Sequence, residues 1–95
     1  MSEICERDIE KYLVRRVKAI GGEIRKVKWI GPHGAPDRIV MYKGATFVEL
    51  KRPGKDLEPH QRREHNRMFV HGVDVIMINN FLGVDVFIGE LLARP

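Results

Sequence analysis

Apolar positions along this chain recur with two periods, and the changes between them divide it into elements. Cys5, Ile9, Leu13, Val17 and Ile20 are spaced by threes and fours. That spacing places them on one stripe of an amphipathic helix from about Glu3 to Ile20. Ser2 is a good N-cap type, Glu3 and Glu6 suit the positive end of a helix, and Gly21-Gly22 is a stop. Partial alternation through Val27 and Trp29 predicts a first strand over Glu23 to Trp29. Gly31 to Pro36 is a loop by composition. A second strand is expected over Asp37 to Tyr42, a hairpin turn at Lys43-Gly44 and a third strand over Ala45 to Leu50. Pro53-Gly54 closes that strand. Pro59 suits the first position of a second helix running to about His71, with Gly72 as its stop. Val73 to Ile78 is a nearly continuous apolar run, the pattern of a buried strand. Asn80 is placed to cap a last helix with Val84, Phe87, Ile88 and Leu91 as its buried stripe.

The predicted order is α-β-β-β-α-β-α. The first three strands form an antiparallel meander, and the second helix is a right-handed crossover returning a fourth strand to the sheet. The expected class is therefore α/β, a mixed four-stranded sheet flanked by helices. At 95 residues the chain has room for one domain, 1–95, with a modest core. Hydrophobic residues at 43% and charged residues at 32% fit a folded soluble chain. No apolar run approaches the roughly 20 residues that span a bilayer. The N-terminus lacks the basic and apolar regions of a secretory signal. A single cysteine, Cys5, excludes an intrachain disulfide and a cysteine metal cluster, and fits a reduced cytoplasmic compartment. The net charge of +4 favours an anionic partner.

The densest chemistry lies in Gly34-Ala-Pro-Asp37 and Phe47-Val-Glu-Leu-Lys51. Strand side chains alternate faces, so Glu49 and Lys51 point one way and Leu50 the other. Val48 and Leu50 are apolar and Phe47 shares the face of Glu49, so one glutamate sits in a strand apolar on both sides. If Asp37 lies beside that face, two carboxylates and an ammonium converge. Carboxylates so close repel unless a cation joins them, and hard divalent ions bind through a few carboxylates plus waters. The lysine can then support a water or stabilise charge on a phosphate. Gln61, in the first turn of the second helix, is placed to position a water or a phosphate. Glu6 and Glu10 share one face of the first helix, from which either can reach the site. Arg52, Lys55, Arg62, Arg63 and Arg67 are candidate phosphate contacts, with His33 as a further one. Each piece also has an ordinary structural use: Pro-Asp marks turns, and charges solvate helix faces. No glycine-rich nucleotide loop, nucleophile elbow or zinc-binding histidine pair is present.

The ordered set resembles the VRR-NUC domains of the PD-(D/E)XK nuclease superfamily. The matching pieces are Glu6 and Ile9-Glu10, Gly21-Gly22, Gly34-Ala-Pro-Asp37, Phe47-Val-Glu-Leu-Lys51, Gln61 after a proline, and Gly72. They span nearly the whole chain. The resemblance implies a restriction-endonuclease-like core and hydrolysis of DNA phosphodiesters with Mg²⁺ or Mn²⁺. Asp37, Glu49 and the backbone carbonyl of Leu50 would be metal ligands, and Lys51 would orient or activate the attacking water. Gln61 would be the polar residue of the second helix, and Glu6 the helix-one acid with Glu10 as second choice. It further implies a homodimer selective for branched DNA such as four-way junctions, acting in a bacterial or phage-infected cell. Phe87 and Leu91 on the last helix are candidates for its dimer surface. Glu58 departs from the small hydroxyl cap expected before Pro59. Two other readings fit the same residues: a non-catalytic nucleic-acid-binding module with this fold, and a small interaction protein with a basic surface.

Overall fold

A computed structural model describes residues 3–31 and 33–95. Seven elements follow in the expected order: α1 (Glu6–Ala19), β1 (Glu23–Lys26), β2 (Arg38–Met41), β3 (Ala45–Leu50), α2 (Pro59–Val70), β4 (Val75–Ile78) and α3 (Phe81–Leu92). The strands form one sheet in the order β1-β2-β3-β4. β1 with β2 and β2 with β3 are antiparallel, whereas β3 with β4 is parallel. The crossover through α2 therefore makes the sheet mixed, and the class is α/β. Lys43 and Gly44 have φ of 50° and 129°, the consecutive positive values that let a tight turn follow the twist of its strands.

Alternation along β3 buries Thr46, Val48 and Leu50 on one face. There Val40, Val48, Leu50 and Ile78 of the sheet meet Ile9, Leu13 and Val17 of α1 and the whole predicted stripe of α3. α2 lies on the opposite face, where Gln61 reaches Glu49, and it buries only His65. One face is thus closed by two helices and the other is left partly open. Among the described residues no helix is long and apolar enough to cross a membrane.

Four expectations change. α1 begins at Glu6, and Cys5 is its exposed N-cap residue and no part of the buried stripe. The Cys5 backbone N–H donates to Asp8 Oδ2 at 2.9 Å, so the first turn closes three residues later than the apolar spacing suggests. Ser2, the expected cap, lies outside the described residues. β1 stops at Lys26, because Trp29 folds back over the sheet: its indole N–H donates to the Pro36 carbonyl at 2.6 Å and its ring packs 5.4 Å from Phe47. β4 starts at Val75, since the Val73 N–H returns to the Met68 carbonyl at 3.0 Å and finishes α2. β4 is also an edge strand, so Val75, Ile76 and Met77 are only partly buried. Finally, Phe87 and Leu91 are 3% and 0% exposed. They belong to the core and are not available to a dimer surface. Asn80 does cap α3, accepting from the Gly83 N–H at 2.6 Å.

Candidate active site

Strand register brings the first two carboxylates together. Arg38 pairs with Val48, so one rung further Asp37 comes opposite Glu49. Residues directly opposite in an antiparallel ladder share a face. The Val27 N–H donates to the Asp37 carbonyl at 2.9 Å, which keeps this rung tied to the β1 side. The Lys51 N–H donates to the Ile78 carbonyl at 2.9 Å and extends the parallel ladder past the end of β3. Its backbone is therefore held, and alternation puts its side chain on the Glu49 face.

The loop before Asp37 is seated on α2. Gly34 has φ of +98°, and a Cβ there would lie 2.8 Å from the His60 carbonyl and 2.9 Å from Gln61 Cα. Only glycine permits both that backbone and that approach. Pro36 is fully buried behind it.

Charge in the site is unbalanced. Burial pushes the Glu49 carboxyl up to about 7, and the negative charges of Asp37 and Glu6 push the same way; Lys51 and Arg38 oppose them without cancelling. Gln61 is oriented by its own helix start. Its Oε1 accepts from the Glu58 N–H at 2.9 Å, and its Nε2 stands 3.5 Å from Glu49 Oε2. This reach-back compensates for the unusual Glu58.

The two helix-one acids separate. Glu10 is taken by Arg38 in an ion pair, and that hydrogen bond holds its carboxyl below the usual range. The other terminal nitrogen of Arg38 lies 2.9 Å from Asp37 Oδ1. Glu6 is exposed, and its charge is felt at Glu49. Arg38 was not among the expected site residues. The signal was its phase: it shares the core-facing set of Val40, where an arginine requires partners. His65 is a packing residue, buried on α2 beside the Gly34 backbone, and burial lowers its pKa.

The expected basic residues stay at the surface. Arg52, Lys55, Arg63 and His33 are exposed. Arg62 pairs with Asp56 at 3.0 Å and Arg67 with Glu64 at 2.8 Å. The Arg62–Asp56 pair is exposed on both sides and of small energetic value, whereas the Glu64 side chain is only 15% exposed.

Among the described residues no three His, Cys, Asp or Glu side chains are gathered into a metal cage. A hard ion that keeps several waters needs only one or two carboxylates. Burial first, and the charges of Asp37 and Glu6 after it, disfavour an ionised Glu49, and a bound cation would offset both, so the donor set fits a hard divalent ion.

No family model matches the chain. It is 43% identical over 82 residues to "Putative nuclease p44" of Acyrthosiphon pisum secondary endosymbiont phage 1, covering 84% of this chain and 88% of that protein. A solved structure described as a VRR_NUC domain superposes with a TM-score of 0.79 at 37% identity, over 88% of this chain and 94% of that one. Each likeness covers more than four fifths of the chain, and the chain belongs to the VRR-NUC nuclease family.

Proposed function

We propose that this nuclease is a divalent-metal-dependent endonuclease that hydrolyses DNA phosphodiesters, acting as a homodimer on branched DNA such as four-way junctions. The carrying observation is the juxtaposition of Asp37 and Glu49 across one rung, with Lys51 on the same face and the pair short of positive charge. Asp37, Glu49 and the Leu50 carbonyl would hold Mg²⁺ or Mn²⁺. Bound there, the ion supplies Lewis-acid stabilisation of phosphate charge and eases deprotonation of the attacking water. The Lys51 ammonium orients that water and stabilises the charge that develops on the phosphate. Gln61, fixed by its cap, presents its amide N–H groups to Glu49 and to a bound water or phosphate. Glu6 is the helix-one acid of the site, because Glu10 is committed to Arg38. Arg52, Lys55, Arg62, Arg63, Arg67 and His33 bind flanking phosphates and set the register of the duplex.

The proposed domain spans 1–95, and its site of action is the cytoplasm of a bacterial or phage-infected cell, in keeping with the phage relative. Candidates for the homodimer surface are exposed apolar side chains, Leu82 and Val86 on α3 or Phe69 and Val70 at the end of α2. A two-fold dimer places two sites symmetrically, which suits a four-way junction.

The test is a cleavage assay with Mg²⁺ or Mn²⁺ on labelled single strands, duplexes, flaps and four-way junctions, with Asp37→Ala and Lys51→Ala beside the wild type. Metal-dependent cleavage that both substitutions remove, strongest on the junction, is the expected result. Full activity in the Lys51→Ala protein would sink the mechanism. Binding without cleavage of any substrate would make the chain a binding module.

A further inference from the structure

We propose that Arg38 is a positioning residue that sets the orientation of the Asp37 carboxylate toward the metal, and that α1 takes part through Glu10. The inference rests on the metal-dependent reading above.

Arg38 is 8% exposed, on the core-facing phase of β2. A guanidinium there must be paired, and its planar fork can serve two carboxylates at once. One nitrogen is held by Glu10 of α1, and the other lies 2.9 Å from Asp37 Oδ1. Glu10 is the more buried of the two anchors, its side chain 24% exposed against 56% for Asp37. Asp37 itself sits just before β2, beyond the last strand residue, where nothing in the ladder restrains its side chain. The fork does so: with Oδ1 engaged, Oδ2 remains for the cation opposite Glu49. Partners of this kind typically control metal affinity by about 10–100-fold.

Charge and positioning predict opposite signs here. A nearby arginine repels a cation, so by charge alone its removal tightens binding. By positioning, its removal loosens binding because the aspartate rotates away. Arg38→Lys keeps the charge and loses the fork. Glu10→Gln keeps Arg38 but frees it to close wholly on Asp37 and compete with the ion.

The experiment is calorimetric titration of Mn²⁺ into the DNA-free protein for wild type, Arg38→Lys, Arg38→Gln, Glu10→Gln and the Arg38→Lys/Glu10→Gln pair, with melting in chelator as the check on folding. Expected is a Kd weaker by about 10–100-fold in every single variant, with a double variant no worse than the weaker single. DNA binding in chelator should be unchanged. Should the Arg38 variants fold poorly, Glu10→Gln alone decides. Wild-type Mn²⁺ affinity in folded Arg38→Lys or Glu10→Gln, or tighter binding in Arg38→Gln, overturns the positioning role and leaves the nuclease reading standing. A wild type that binds no Mn²⁺ and cleaves nothing overturns both.

Discussion

Replacing Glu49 by glutamine should stabilise the metal-free protein while destroying its activity. Burial and the neighbouring charges of Asp37 and Glu6 raise its carboxyl from 4.5 to about 7. Between those two values the folded chain holds a proton that the unfolded chain has released. Stability therefore falls as pH rises through this window, and the full penalty is present above pH 7. At ~1.4 kcal/mol per pH unit the shift corresponds to about 3 kcal/mol at face value. Glu49 keeps part of its surface in water, and screening there reduces this to roughly 1–2 kcal/mol. Glutamine has the shape of the protonated acid, and its carbonyl still faces Gln61 Nε2. The difference between Glu49→Gln and wild type should vanish near pH 4.5 and reach that value at pH 8. For a domain of this size it amounts to roughly 5–10 °C in Tm. The assay is thermal melting in chelator at both pH values, repeated with Mn²⁺. The ion should raise the wild-type Tm and leave the variant almost unmoved. A variant no more stable than wild type at pH 8 would refute the argument, because the uncompensated charge would then not exist.

Other outcomes follow from the same geometry. Gly34→Ala must strain a backbone at φ +98° and push against the His60 carbonyl; it should cost about 1–3 kcal/mol in a denaturant melt and reduce cleavage by shifting Asp37. An unchanged melt would show that the loop is not seated on α2. His65 has its pKa lowered by burial, so it resists protonation in the fold and stability should be lost as pH falls below about 6.5. His65→Gln should flatten that loss in melts between neutral and mildly acid pH, and an identical slope would assign the acid sensitivity elsewhere. Arg63→Ala and Lys55→Ala should each lower the salt slope of DNA binding in chelator by about 1 if they contact phosphates; unchanged slopes would remove them from the interface.

Element order, the α3 stripe and the pairing of Glu49 with Lys51 are local properties. A period of 3.6 or 2 and the glycines and prolines that interrupt it are written in neighbouring residues, so the order of the seven elements and the shared face of Glu49 and Lys51 were legible in the chain, whereas Asp37 comes opposite Glu49 through the pairing of β2 with β3. Where α1 starts, and that β4 lies at a sheet edge, depend on partners that periodicity does not encode: the Asp8 carboxylate that accepts from the Cys5 N–H, and a sheet that ends at β4 among the described residues. The roles of Glu6 and Glu10 were likewise undecided, since both share a helix face. Only the tertiary structure separated them, because Arg38 comes from a strand 28 residues away and claims Glu10. The same holds for Phe87 and Leu91, apolar residues whose burial depends on whether α1 and the sheet cover them. Local chemistry chose the reactive groups. Long-range packing decided which of them face the site, because desolvation and charge pairing depend on neighbours that only folding supplies.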